Sequence, residues 1–193
     1  MKPRAFRVLG CFVLAGTLAA CATTEHAKKS KEQEQLKKDA DPAELIARGE
    51  VAARVGDMTR AEQYLVAALK AGGDERTVVE RLLVVCAADQ RYPVALEYAD
   101  NYMRRHPADT EVRFAAATMY AAIGDRTRAE EDLSRVVAEK PDWAEAHYAL
   151  ATVLREKGSS ALAADRHYRE YLRLSPKGEY AEAARSYLLK SVP

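Results

Sequence analysis

Residues 110–143 read TEVRFAAATMYAAIGDRTRAEEDLSRVVAEKPDW, and this stretch decides the fold. It holds an Ala-rich apolar run, a glycine at 124, a second run carrying Leu133, Val136 and Val137, and a closing Pro141. The i, i+3, i+4 spacing of the second run is the signature of one buried helical face. The same marks recur outward along the chain. Gly56, Gly124 and Gly158 fall on one register 34 residues apart, with Gln90 filling the missing turn. Ala61, Ala95 and Ala129 keep that step, and Ala164 follows one residue late. Pro107, Pro141 and Pro176 close the later units, where the first has Gly73. A 34-residue period on a helical background predicts stacked helix pairs.

The other second helices of the repeat carry matching stripes. They are Leu65, Ala68 and Leu69; Ala99, Tyr102 and Met103; and Tyr168, Tyr171 and Leu172. A glycine after each first helix suits a left-handed cap, and an alanine early in each second helix permits close approach of its partner. The second unit departs most. It lacks the turn glycine and has Pro93 at the start of its second helix, a position where proline is tolerated. After Pro176, residues Tyr180, Ala183, Ala184, Tyr187 and Leu188 form one more stripe. It predicts a capping helix that covers the end of the array, as terminal units require.

These residues resemble the tetratricopeptide repeat. The resemblance implies an all-α fold, a right-handed tetratricopeptide-repeat superhelix of four helix pairs with a C-terminal capping helix. The expected units are 42–75, 76–109, 110–143 and 144–178, with one extra residue near Ser159-Ser160 in the last and the cap at 179–191. Leu150-Ala151 fits the family's large-small pair in the first helix well. Leu82-Leu83 and Ala116-Ala117 fit it partly, and Arg48-Gly49 keeps only the small residue. In this family the first helices line a concave groove. Carried over by position, that groove holds Ile46, Glu50 and Arg54; Glu80, Val84 and Ala88; Glu111, Phe114, Thr118 and Ala122; and Glu145, Tyr148, Thr152 and Arg155. Phe114 and Tyr148 are aromatic anchors of the kind that dominate interfaces, or else they pack within their own helix pairs. The Lys/Asn set with which some relatives hold a C-terminal carboxylate is absent. A helix or an extended apolar segment is the ligand expected.

The chain begins MKPRAFRVLGCFVLAGTLAAC. Lys2, Arg4 and Arg7 form a basic start, and Val8 to Leu18 is an apolar run too short for a membrane span of about 20 residues. It reads as an export signal over residues 1–20. Leu18-Ala19-Ala20-Cys21 resembles the lipobox of bacterial lipoproteins. The resemblance implies cleavage before Cys21 and lipid attachment there. Ala22 at the next position, where some relatives have Asp, goes with transfer to the outer membrane in enterobacterial lipoproteins. The alternatives are a plain secretory signal and an uncleaved anchor. Residues 21–41 are polar, with Leu36 their one strongly apolar side chain, and read as a tether. From about Lys31 they have enough helix formers to pack on the first unit instead.

Removing the signal leaves 173 residues, with 27 basic against 29 acidic side chains. No basic block or aromatic-basic interleaving suggests nucleic acid as a partner. Cys86, in VVCAA, would be the free cysteine of the mature chain and reads as a small core residue. His26, His106, His147 and His167 are scattered, and no phosphate loop or nucleophile motif is evident. The expectation is therefore no catalytic residue, no metal and no cofactor. The expected role is that of a lipid-anchored scaffold on the outer membrane, facing the periplasm and assisting an envelope complex through its concave surface. Two narrower roles are a pilot lipoprotein for a type IV pilus secretin, implied by resemblance, and a recruiter or regulator of a cell-wall enzyme.

Overall fold

A computed structural model of the chain describes residues 41–158 and 160–190. The export signal, Cys21 and the tether lie outside the described residues. Nine helices follow one another among those described. They are α1 (Pro42–Arg54), α2 (Met58–Lys70), α3 (Glu75–Ala88), α4 (Tyr92–Met103), α5 (Thr110–Ala122), α6 (Arg126–Glu139), α7 (Ala144–Lys157), α8 (Ala161–Leu174) and α9 (Ala181–Tyr187). Each helix packs on the next in sequence. Successive first helices (α1, α3, α5, α7) also touch one another, and successive second helices do so less. The first helices therefore lie on the shorter, inner side of the stack. The architecture is an all-α solenoid of four helix pairs closed by a capping helix.

Local signals start and stop these helices. Asp41, Asp57, Asp74, Asp109, Asp125 and Ser160 each accept a hydrogen bond on the side chain from a backbone N–H two or three residues on. These bonds satisfy N–H groups that a helix leaves without an internal partner. Arg91 and Trp143 start α4 and α7 with no side-chain cap. In α4, Pro93 falls in the first turn, where its missing N–H is harmless. The turn inside each pair needs one left-handed residue. Gly124 supplies it with φ +85°, and Gln90 adopts the same conformation at φ 56°. Gln90 is the one residue other than glycine with positive φ among those described. In the first unit Gly56 takes that turn at +83°, and a further left-handed glycine, Gly72 at +85°, stands beside the closing Gly73 between the first and second pairs.

The repeat positions become the core. Ala61, Ala95 and Ala129 are fully buried and Ala164 is 3% exposed, so each second helix is drawn close to its partner. The paired stripes face inward too: Leu65 and Ala68, Ala99 and Tyr102, Leu133 and Val136, and Tyr168 and Tyr171 are all buried. Each fully buried Leu, Val or Tyr contributes about 1.5–3 kcal/mol of apolar transfer. One continuous cluster runs from Val79 to Ala184, spanning α3 to α9. Leu45, Ala52, Ala61, Leu65 and Ala68 of the first unit are buried but stand outside it. Within the expected capping segment the helix covers Ala181–Tyr187. Ala181 and Ala184 face the core, while Tyr180 and Tyr187 stay more than a third exposed.

Candidate functional site: the first-helix face

The residues expected in the groove all lie on α1, α3, α5 and α7. Glu50 and Glu111 are tied to neighbouring units, while Glu80 is held within its own. Glu50 Oε1 accepts from Arg81 Nε at 2.8 Å. Arg76 reaches Glu80 at 3.4 Å, Asp109 at 3.0 Å and Glu111 at 3.5 Å. Glu111 also accepts from Lys140, and that bond holds its carboxyl below the usual range. These are largely exposed pairs, which are individually weak; Glu50–Arg81 and Arg76–Glu111 link neighbouring units. Arg54 and Ala88 are exposed, and Ile46 is half-buried. Val84 is 66% exposed, a bare apolar side chain in the middle of the face. Thr118 is exposed, and its hydroxyl donates to the Ala115 carbonyl at 2.8 Å.

Both expected aromatic anchors are half-buried and both have ring partners. Phe114 sits 4.5 Å from the Trp143 ring, tilted by 41°, and Lys140 Nζ lies 5.4 Å from that indole. Tyr148 stacks on Tyr180 at 4.5 Å and 16°, and its edge meets Tyr168 at 5.7 Å. Burial raises the Tyr148 phenol pKa above its ordinary value. Thr152 donates to the Tyr148 carbonyl at 3.0 Å. Arg155 Nε donates to Tyr168 Oη at 3.2 Å, and its guanidinium lies 4.0 Å over the Tyr187 ring. Glu145 is exposed at the start of the same helix.

The capping segment thus supplies two tyrosines to the end of this face. Sequence reasoning placed Tyr180 and Tyr187 in a stripe on the last unit, and both rings meet it, at Tyr148 and Tyr168, while staying more than a third exposed. Their aromatic type beside a predicted aromatic groove residue was the available signal. Trp143, between two units, was not singled out either.

The remaining candidates for chemistry resolve into structure. Cys86 is fully buried, and burial raises its thiol pKa to about 11, which keeps it protonated and unreactive. His147 and His167, read as scattered, meet with their Nδ1 atoms 2.9 Å apart, and His147 Nε2 faces the Pro141 carbonyl at 3.0 Å. Among the described residues no group of three His, Cys, Asp or Glu side chains is placed to hold a metal ion. Among the same residues no helix is long and apolar enough to cross a membrane.

Comparison with known proteins gives one family and one fold. The family profile described as "Tetratricopeptide repeat" matches residues 46–110 and 114–179. A tetratricopeptide repeat protein from Parabacteroides merdae ATCC 43184 superposes with a TM-score of 0.68 at 19% identity, covering 76% of this chain and 58% of its own. This chain therefore spans less than two thirds of that protein's solved length. YrrB, described as a TPR protein with an unusual peptide-binding site, has a TM-score of 0.66 at 18% identity over 88% of this chain and 91% of its own. MamA has a TM-score of 0.66 at 18% identity, covering 76% and 87%. At these identities the structural likeness shows the fold alone.

Proposed function

Since the chain belongs to the tetratricopeptide repeat family, a family of non-catalytic scaffolds for protein–protein contact, we propose that its first-helix face captures a partner in the bacterial envelope while a lipid on Cys21 holds it to a membrane. The observation that carries the capture reading is the face itself. It presents bare Val84 and half-buried Phe114 between ion pairs that join neighbouring units. Apolar and aromatic anchors on a rigid frame suit a helical or extended apolar segment, because little of the frame must be ordered on binding. The outer membrane, with the repeats facing the periplasm, is the location that best fits Leu18-Ala19-Ala20-Cys21 followed by Ala22. The sequence features that suggest it are residues 1–20 as signal, 21–41 as tether, 42–178 as four units and 179–191 as cap.

Crosslinking in intact cells tests the capture reading, with a photoreactive residue at Thr118 and mass spectrometry of the adduct. Val84→Glu and Phe114→Ala, at positions outside the deep core, should remove the adduct while leaving helicity intact. An unchanged adduct in both folded variants would sink the groove reading. Cys21→Ser tests the tether independently. It should abolish lipid labelling and release the protein from membranes, and retention at the wild-type level would overturn the anchor. The adduct's identity also separates the narrower roles. A secretin subunit supports piloting, and a peptidoglycan enzyme supports recruitment.

A further inference from the structure

A second cleft, of about 330 Å³, opens between α4 and α6, the second helices of the middle units. Its lining carries four arginines (104, 113, 128 and 135) against three acids (Asp100, Glu131 and Asp132), a balance of +1. Two of the arginines are matched. Arg113 Nη1 donates to Asp132 Oδ1 at 3.1 Å, and its Nη2 donates to the Pro107 carbonyl. Arg128 Nη1 donates to Tyr120 Oη at 2.7 Å and lies 3.7 Å from Asp100. The other two are not matched. Arg104 bonds only to the neutral side chain of Asn101, and Arg135 makes no side-chain bond among the described residues. Arg113 adds a third shortfall. It is 7% exposed, and its Nε is buried without an acceptor.

A guanidinium offers five donors and no acceptor, so Arg104 and Arg135, exposed to water, are free to donate to an acceptor that a partner brings. We propose that the cleft between α4 and α6 binds the carboxylates of an acidic segment of a partner protein, with Arg104 and Arg135 as its direct donors. The buried Arg113 holds the floor positive but is itself committed to Asp132 and Pro107. Asp100 and Asp132 are taken up by Arg128 and Arg113, so Glu131 alone opposes Arg104 and Arg135, and the lining suits singly charged carboxylate side chains. Nucleic acid and phosphate dianions fit the same lining poorly. Glu131, one turn before Arg135 on α6, forms no bond among the described residues and competes for the same cations. This site goes beyond the first-helix reading and stands mainly on α4 and α6, with Arg113 and Tyr120 of α5 behind them.

Fluorescence anisotropy of the purified protein with a labelled Glu-Ala decapeptide tests the proposal, with the Gln-Ala analogue as control. The Glu peptide should bind at least about tenfold tighter than the Gln peptide, and rising salt should weaken it. Arg104→Gln with Arg135→Gln should lower affinity about tenfold or more, and Glu131→Gln should raise it. Both arginines are exposed, so helicity and melting of the double variant should match wild type. Equal binding of the two peptides, or unchanged affinity in the double variant, would overturn the site. Displacement by inorganic phosphate at lower concentration than by acetate would overturn the ligand class. Phe114→Ala should leave this binding untouched, so failure here is distinguishable from failure of the first-helix reading.

Discussion

Replacing Gln90 with glycine is expected to stabilise the protein. Gln90 closes the turn between α3 and α4 at φ 56°, where the matching turns of the other units have glycine at +83°, +85° and +68°. A left-handed conformation costs a residue with a Cβ roughly 1–2 kcal/mol. Glycine removes that strain but gives back about 0.4–1 kcal/mol through the freer unfolded chain. Gln90 is exposed, and its side chain makes no hydrogen bond among the described residues, so nothing else is lost. The net gain is about 0.5–1 kcal/mol, or a rise of roughly 1–4 °C in Tm for a chain of this size. The control is Gly124→Ala. A Cβ there would meet nothing closer than an Arg126 guanidinium nitrogen at 3.8 Å, so its effect isolates the backbone. It should destabilise by about 1 kcal/mol. Urea denaturation monitored by helicity reads both variants. A destabilised Gln90→Gly, or a neutral Gly124→Ala, would refute the reasoning that the register, and not the residue, sets this turn.

Acid should loosen the fourth unit. Burial, then His147, holds the His167 pKa below its usual value of 6.5, so folding favours its neutral form. The unfolded chain binds the proton more readily, so stability is fully present above about pH 6.5 and falls as pH drops below it. Urea denaturation from pH 7.5 to 5.5 should show this loss, with a slope no steeper than one proton, and His167→Gln should flatten it; an equal slope in that variant would reject the assignment. Asp165, 3% exposed, accepts from Leu189 N at 2.8 Å and from Arg169 Nε at 2.6 Å. Asp165→Ala should cost about 1–3 kcal/mol and speed amide exchange at Leu189, since it leaves that donor unmet; unaltered exchange would show that the latch holds nothing. At Gly178 an added Cβ would lie 2.3 Å from Ser175 Oγ and 2.5 Å from the hydroxyl of Tyr171, itself 1% exposed. Gly178→Ala should therefore lower stability by about 1–3 kcal/mol, as overpacking does, and a neutral melting curve would contradict the packing.

Periodicity made the fold legible. The 34-residue register placed Gln90 in a glycine's role before any geometry was known, because a repeated turn imposes its backbone on whatever residue stands there. The stripes beginning at Leu65, Ala99, Leu133 and Tyr168 were equally plain, since one helix face explains each. The caps were also on the page. An aspartate stands before each of α1, α2, α3, α5 and α6, and aspartate is one of the strong helix start signals. What stayed hidden joins residues that no single helix relates. Tyr148 meets Tyr180 across two helices, and His147 meets His167 through one chance alignment of α7 with α8. The cross-unit pairs were hidden differently. Glu50–Arg81, Glu62–Arg91 and Arg126–Glu156 lie 31, 29 and 30 residues apart, close to the period, so a search for opposite charges at that separation would have found them. The arginine cleft gave only a diffuse cue. Lys70 stands 34 residues before Arg104 and Arg169 stands 34 after Arg135, but Arg104 follows α4 and Arg135 lies on α6, so no single helix face relates the two.

Each pair of helices touches only the pairs beside it, and that restricts how news can cross the molecule. A partner seated against Val84 and an acidic segment in the α4–α6 cleft share the second unit, so each can bias the other's dwell time through one interface. A binding event at Tyr148 reaches Ile46 only by three junctions in series, and each junction that merely flexes absorbs part of the signal. The array is in this sense a poor wire and a good rack. It can hold several guests at once with little crosstalk between its ends, and any long-range switching it takes part in has to be brought by the guests.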